Sequence, residues 1–292
     1  MGVAAKNISG ITLHAALSLV QNSGSKSSGK TKKELQKMWS GVDYLFIDEV
    51  SMIGCNFLMS ISDVLCDITG ILAPYGGISV IFAGNFGQLP PVGQSSLYSR
   101  IPTQGQTTHH VQRQVMGKLL WLSVNTVVLL SQVMRQSGDM NACFVDLLHR
   151  LRLGRCSEQD FHLLRTCLLS NVALDWTQQE WLEAPTIVSC NETKDKINEA
   201  VAAAFTHCAG IEMHWYYSID NIKGLPDANH EIVKPLLERL HSGQMHQCLG
   251  HLPLAIGMPV MITQNSDMNG GIVNGSTGTL VCIHYFMGDD NK

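Results

Sequence analysis

Two short apolar runs, each followed by polar residues, stand out in the first hundred positions of the chain. Residues 42–50, VDYLFIDEV, and residues 77–86, GISVIFAGNF, have the length and flanks of strands buried on both faces, as in a parallel sheet. Between them, apolar residues recur with near-helical spacing, at Met52, Leu58, Ile61, Leu65 and Ile68. Strand, helix and strand form the pattern of an open α/β sheet, in which ligands bind beyond the carboxyl ends of the strands.

The later part of the chain has weaker but readable patterns. Residues 141–154, NACFVDLLHRLRLG, predict an amphipathic helix that Gly154 closes. Residues 184–191, APTIVSCN, predict a short strand, and residues 192–205 predict a helix after it. Residues 253–286 combine apolar runs with Asn-Gly and Gly-Ser-Thr-Gly turns and are expected to be β-rich. The polar residues 101–116 suggest a surface insertion, and residues 208–248 yield no assignment.

Composition narrows the class of protein. A chain of 292 residues with 45% hydrophobic and 15% charged residues suits two folded domains. The net charge of −4 excludes a histone-like DNA binder, but not a groove-type binder of single strands. Nine cysteines without a C-x-x-C pair indicate reduced thiols. No apolar stretch is long enough to span a bilayer, so we expect no membrane association.

Asp48 and Glu49 end the first apolar strand, and this position has a specific use in P-loop NTPases. The first carboxylate holds Mg²⁺ beside the nucleotide phosphates, and the second orients and deprotonates the attacking water. The alternative is a solvated acidic pair at a strand terminus. Gln88 follows the second strand in GNFGQLPPV and suits a reporter of the γ-phosphate, although a plain turn ended by Pro90 and Pro91 also fits.

IDEVSM followed by GNFGQLPPV resembles motifs II and III of the PIF1-type superfamily-one DNA helicases, a group that includes the helicases of eukaryotic Helitron transposons. Further blocks resemble the same family in the same order. They are GVAAKNISGITLHAAL as motif Ia, LLSQVMRQSGDMNACFVDLLHRLRLG as motif IV and the helix behind it, APTIVSCNETKDKINEAV as the following segment, and LPLAIGMPVMITQNSDMNGGIVNGSTGTLV as the block with motif V. The resemblance therefore covers nearly the whole chain.

This resemblance implies roles for individual residues. Asp48 would hold Mg²⁺, Glu49 would activate water, and Gln88 would couple the nucleotide state to movement. Arg135 would be the motif IV arginine that reaches the γ-phosphate from the second domain, where a guanidinium offsets transition-state charge. A surface or helix-capping arginine is the alternative for Arg135.

The resemblance also implies DNA contacts. Thr12 and His14, in the TLH of motif Ia, would contact the phosphates of single-stranded DNA. Asn274 and Gly275 would do so from the second domain, because glycine lets the backbone approach closely. A hairpin turn at Asn274 and Gly275 is the alternative, and it is compatible with DNA contact.

For the whole chain, the implied fold is α/β, with two RecA-like P-loop NTPase domains of parallel sheets flanked by helices, each incomplete, and a β-rich C-terminal segment. Residues 1–128 would form the first domain, with motifs Ia, II and III, and residues 129–292 the second, with motifs IV and V. The implied function is an ATP-dependent DNA helicase that moves 5′→3′ on single-stranded DNA. Its cofactors would be ATP and Mg²⁺, and its partners single-stranded DNA and DNA forks.

The family's biology sets the remaining expectations. We expect a monomer in the nucleus, or else in the mitochondrion, that serves DNA repair, recombination, telomere maintenance or transposon replication. The rival hypothesis is a truncated, inactive helicase relic that at most binds single-stranded DNA.

Gly24–Thr31, GSKSSGKT, fits the phosphate-loop pattern G-x-x-x-x-G-K-[ST], but its context is wrong. A working loop needs a buried strand before it, and here a helix and its exit precede it. A basic loop is therefore the preferred interpretation, and a genuine P-loop enzyme is the alternative.

The chain also departs from the family's motif pattern. In the family the P-loop lies upstream of motif Ia and motif VI lies downstream of motif V, and Asn85 stands where the family has Asp. We therefore expect this polypeptide to hydrolyse ATP poorly or not at all.

Overall fold

The computed structural model describes most of the chain, in two compact units. The described residues are 5, 8–19, 32–100, 108–136, 141–173, 184–218, 235, 240–245, 247, 249–267, 270 and 272–285. Apart from the first two residues, the units are Val3–Leu174 and Asp175–Lys292. This division falls later in the chain than the expected boundary between residues 128 and 129. The boundary between two RecA-like domains therefore stays a prediction.

The first unit contains a two-stranded sheet and helices. Strands β1 (Tyr44–Ile47) and β2 (Ser79–Phe82) pair in parallel, with Tyr44 opposite Ser79 and Ile47 opposite Phe82. The helices are α1 (Leu13–Ala16), α2 (Lys32–Trp39), α3 (Cys55–Thr69), α4 (His109–Leu122), α5 (Ala142–Arg152) and α6 (Glu158–Thr166), with 3-10 turns at Val50–Met52 and Pro74–Gly77. The parallel β1–α3–β2 arrangement confirms the α/β pattern that the sequence predicted.

Helix α3 is the centre of the hydrophobic core. Leu58, Ile61 and Leu65 are fully buried, and Ile47 of β1 belongs to the same cluster. These residues are spaced to lie on one face of the helix, which packs against the inner face of the sheet. The helix ends at Gly70, whose φ of +74° suits a residue without a Cβ. The predicted helix between the two strands is confirmed.

The outer face of the sheet contradicts one expectation. Tyr44, Phe46 and Ile81 are 69%, 51% and 48% exposed, so the prediction of strands buried on both faces is wrong in this structure. The physical reason is that α3 covers the face carrying Ile47, and no described residue covers the other one.

Two further predictions on the first unit were tested. The prediction of a surface insertion is wrong for residues 109–116, because they form the beginning of helix α4. This helix packs closely on α3, since a Cβ on Gly117 would clash with the carbonyl oxygen of Cys55. Residues 101–107 lie outside the described residues.

The predicted helix α5 is confirmed, and Gly154 follows it with a φ of +66°. The apolar run Val127–Leu130 forms neither helix nor strand, and its side chains are 78–93% exposed.

The second unit contains helix α7 (Asn191–Ala209) and two antiparallel strand pairs. Strand β3 (His214–Tyr217) pairs with β4 (His251–Leu254), and β5 (Pro259–Met261) pairs with β6 (Thr277–Thr279). The predicted helix and the β-rich C-terminal segment are therefore confirmed. The predicted strand at residues 184–191 is wrong, because its described backbone pairs with no strand and α7 already begins at Asn191. None of the helices that the structure describes has the length and apolar character needed to cross a membrane.

Candidate active site

Asp48 and Glu49 lie at the carboxyl edge of the β1–β2 sheet. Parallel pairing continues past the strands, since Ala83 N donates to Ile47 O at 2.8 Å and Val50 N donates to Ala83 O at 3.0 Å. These bonds hold the end of β1 beside the loop that follows β2. The edge is the one at which open α/β sheets bind their ligands.

The backbone turns sharply at Glu49. Glu49 has a left-handed conformation, with φ 56° and ψ 46°, which costs a residue with a Cβ roughly 1–2 kcal/mol. Its amide donates a hydrogen bond of 2.8 Å to Asp48 Oδ1, and its carbonyl accepts one of 3.0 Å from Met52 N. The turn is thus supported on both sides. Strained non-glycine residues of this kind concentrate at functional sites.

Gly84 lets the loop after β2 approach this turn. Its φ is +143°, and a Cβ there would lie 2.8 Å from the amide nitrogen of Val50. Any larger residue would therefore push the two loops apart. No local sequence pattern marks Gly84 as a required glycine, because the clash depends on a residue 34 positions away.

The loop that carries Gln88 is braced by its own bonds. Asn85 Oδ1 accepts from Gly87 N and Asn85 O accepts from Gln88 N, both at 3.0 Å. The Phe86 ring meets the Tyr98 and Trp121 rings edge-on, with centroids 5.5 Å away in each case. Asn85 therefore supplies the turn-forming acceptor that an aspartate supplies equally well. Gln88 is exposed at the sheet edge.

The donor set suits a magnesium ion shared with a nucleotide. Asp48 is exposed, so its carboxylate is accessible. Over the described parts of the chain, no cluster of three or more histidine, cysteine, aspartate or glutamate side chains is placed to hold a metal. Mg²⁺ takes one or two protein carboxylates and completes its shell with water and phosphate oxygens. Asp48 fits that role without such a cluster.

Thr12 and His14 have structural contacts at helix α1. Thr12 Oγ1 accepts from Ala15 N at 3.4 Å and caps the helix. The His14 ring stacks on Phe57 with centroids 4.7 Å apart and an interplanar angle of 18°. Burial lowers the pKa of His14 from its ordinary value of 6.5, so the imidazole is neutral at pH 7.

Arg135 is not brought to the carboxylates. Its side chain is exposed, and it makes no hydrogen bond or ion pair with the parts of the chain that the structure describes. In the second unit, Asn274 and Gly275 form the turn before β6, where Ser276 N donates to Val273 O at 2.9 Å and Gly275 has a φ of +91°. This is the turn that the sequence offered as an alternative, and it leaves Asn274 exposed.

Comparisons with known proteins agree with this architecture. The sequence matches the family PIF1-like helicase over residues 1–162. A Xenopus laevis protein named ATP-dependent DNA helicase PIF1 is 29% identical over 96% of this chain and 39% of its own length. Its namesake from Saccharomyces cerevisiae is 26% identical over 96% of this chain and 29% of its own length. The chain thus spans about two fifths or less of these relatives.

Solved structures share the fold. The structure of two coordinating Pif1 helicases at forked double-stranded DNA matches with a TM-score of 0.63 and 20% identity, over 98% of this chain and 60% of that one. A Bacteroides Pif1 helicase in complex with ADP-AlF3 and single-stranded DNA matches with a TM-score of 0.57 and 20% identity, over 97% of this chain and 59% of that one. The α/β, RecA-like fold class inferred from the sequence is confirmed by these matches.

Proposed function

This chain belongs to the PIF1-like helicase family, and on that premise we propose that it acts in ATP-dependent DNA unwinding with 5′→3′ movement on single-stranded DNA. One observation carries the proposal. Asp48 and Glu49 follow β1, and the loop bearing Gln88 follows β2, at the same edge of a parallel sheet. This common edge supports a nucleotide site in which Asp48, Glu49 and Gln88 respond to the same γ-phosphate.

In the proposed mechanism, Asp48 would hold Mg²⁺, and Glu49 would accept a proton from the water that attacks the γ-phosphate. The bound magnesium ion would neutralise charge on the phosphates. The left-handed turn at Glu49 supports this role, because strained backbone of this kind is concentrated at functional sites. Gln88 senses the γ-phosphate from the neighbouring loop, and Arg135 approaches it after a movement of its segment.

The proposed DNA contacts are Thr12, His14, Asn274 and Gly275. Burial lowers the pKa of His14, and its imidazole would contact a phosphate as a hydrogen-bond donor. Asn274 is exposed at this turn and offers its side chain to a phosphate, since the backbone amides of Asn274 and Gly275 already donate to Asn265 Oδ1 and Ile262 O. Such contacts position a strand without reading its sequence.

We extend the proposal to the setting of this activity. The partners are single-stranded DNA and DNA forks, the active species is a monomer, and the location is the nucleus, with the mitochondrion as the second option. DNA repair, recombination, telomere maintenance and transposon replication are the processes that we propose for it. ATP and Mg²⁺ are the cofactors.

The test is single-turnover hydrolysis of radiolabelled ATP with the protein in excess, with and without single-stranded DNA, since slow turnover is then measurable. Glu49→Gln should abolish DNA-stimulated hydrolysis while ATP binding persists. Asp48→Asn should raise the Mg²⁺ concentration that hydrolysis requires. Asp43→Asn is the matched control, because Asp43 precedes β1 at the opposite edge of the sheet and should leave hydrolysis unchanged.

Two results would oppose the proposal. Equal hydrolysis by wild type, Asp48→Asn and Glu49→Gln would remove these carboxylates from the chemistry. Binding of single-stranded DNA without any detectable hydrolysis, even in single turnover, would favour the inactive relic.

A further inference from the structure

The N-terminus of helix α3 is capped by a side chain from a distant part of the chain. Its N-cap residue is Gly54, which has no side chain to accept a hydrogen bond. Instead, Gln94 Oε1 accepts from Phe57 N at 3.1 Å, across 37 positions. Phe57 is the third residue of the helix, whose amide is the usual target of a capping side chain. Gln94 thus replaces the missing local cap.

Residues next to Gln94 strengthen this junction. Cys55 N, the first amide of α3, donates to Ser95 O at 3.0 Å, and Gly54 forms an isolated antiparallel bridge with Ser96. Two of the helix's otherwise unpaired N–H groups are therefore satisfied by residues 94–96. This segment directly follows the loop that carries Gln88.

Gly54 leaves the space that the Gln94 side chain occupies. A Cβ on Gly54 would lie 2.4 Å from Gln94 Oε1 and 2.5 Å from Gln94 Cβ. Gly54 itself has φ −90° and ψ 160°, a conformation that any residue adopts. A glycine is therefore needed here to make room for Gln94, and not to relieve backbone strain.

The same turn of α3 also holds helix α1. The Phe57 ring stacks on His14. Helix α2 holds α1 separately, since Trp39 Nε1 donates to Ala16 O at 3.1 Å in a buried hydrogen bond. Leu17, the residue after α1, is buried in the core. Helix α1 is thus fastened to α3 through Phe57, the residue whose amide Gln94 caps.

We propose that Gln94 is a positioning residue that links the Gln88 loop to His14 through Phe57. A shift of the loop after β2 moves Gln94, Gln94 moves the first turn of α3, and Phe57 carries that movement to the ring of His14. Resting on the proposed function, this path transmits the nucleotide state to a DNA contact. It supplies a specific physical connection between these two parts of the first unit.

Amide hydrogen exchange on the unliganded chain tests the link. Gln94→Ala should accelerate exchange at residues 55–58 by about fivefold, the effect of losing a typical cap, and should also accelerate exchange at residues 12–17 by about twofold or more. Gln94→Glu should restore both segments, because a carboxylate accepts the same bond and is favoured at a helix N-terminus. Gln94→Met, similar in length without a comparable acceptor, should behave like Gln94→Ala.

A double-mutant cycle adds a matched control. Gly54→Ala should accelerate exchange in the same two segments by displacing Gln94. It should add little in a Gln94→Gly background, which lacks both the capping oxygen and the Cβ that would lie 2.5 Å from the new methyl group. Fully additive effects would show that Gly54 and Gln94 act separately and would overturn this part of the inference.

Titration of labelled single-stranded DNA gives the functional readout. Gln94→Ala should raise the Kd by about threefold or more through loss of a preorganised contact, and Gln94→Glu should restore it. Faster exchange confined to residues 55–58 would make Gln94 a local cap and overturn the link. If wild type binds no single-stranded DNA, the proposed function fails, and the exchange at residues 12–17 still decides whether the link exists.

Discussion

The Cα of Gly84 lies so close to Val50 that a Cβ on Gly84 would be 2.8 Å from the Val50 amide nitrogen. That amide donates to Ala83 O, so the contact joins the loop after β2 to the turn after β1. The two loops that carry Glu49 and Gln88 therefore meet at a position where only glycine fits.

We predict that Gly84→Ala destabilises the first unit by about 2 kcal/mol, from backbone strain and from the clash with Val50. Gly93→Ala is the matched control, since Gly93 also has a positive φ, of +66°, but open space around it. Chemical denaturation monitored by circular dichroism measures the free energy of unfolding of both variants. Equal losses for the two variants would show that the contact with Val50 contributes nothing beyond the φ effect.

The pair formed by Arg150 and Asp160 should make stability depend on pH. Arg150 Nε and Nη2 donate to the two carboxylate oxygens of Asp160 at 2.8 and 2.6 Å, and Ser157 N and Oγ donate to Oδ2. These bonds, with Arg150 first, hold the pKa of Asp160 far below its ordinary value of 3.8. The stabilisation is therefore present above about pH 4 and is lost as the pH falls towards the lower pKa of the folded state.

Asp160→Asn should accordingly lower the Tm at pH 7 and show a smaller difference from wild type below pH 4. Asp67→Asn removes a well-exposed ion pair with Lys32 and should change the Tm little, as surface pairs usually do. Thermal melts between pH 7 and 2.5 compare the three proteins. A Tm difference for Asp160→Asn that stays constant down to pH 2.5 would contradict this prediction.

His14 should contribute a dependence of the same sign, but at higher pH. Because burial lowers its pKa below 6.5 in the folded state, the unfolded chain binds the proton more readily, and stability falls as the pH drops below about 6.5. His14→Phe preserves an aromatic stack on Phe57 without a titrating group. Its stability should fall less than that of wild type between pH 7.5 and 5.5, measured by urea denaturation, and identical slopes would rule out His14 as a source of this dependence.

The loop Gly24–Thr31 lies outside the described residues, and its interpretation as a basic loop stays a prediction. Lys30→Ala should leave the affinity for a fluorescent ATP analogue unchanged, because no strand is expected before Gly24 to present a phosphate cradle. Lys33→Ala, a neighbouring charge removal at α2, controls for the loss of one positive charge. A tenfold or larger loss of affinity in Lys30→Ala alone would make the loop a genuine phosphate site.

The sequence predicted well those features that depend on neighbours in the chain. The apolar spacing of Leu58, Ile61 and Leu65 predicted the buried face of α3, and the position of Asp48 and Glu49 after an apolar run predicted their place at the strand end. These features follow from periodicity and from local residue pattern. The predicted strand near residue 187 was wrong because a short apolar run becomes a strand only if another strand pairs with it, and local pattern does not record that pairing.

By itself, then, the sequence determined the order of the helicase motifs, helices α3, α5 and α7, strands β1 and β2 and the β-rich character of the C-terminal segment, because these depend on residues a few positions apart. Only the tertiary structure decided that Gln94 caps the helix of Phe57 and that Gly84 must lie against Val50. It also decided that no described residue covers the face of the β1–β2 sheet that carries Tyr44 and Phe46. Each of these relationships joins residues more than thirty positions apart or depends on what packs over a surface, and no local pattern records either.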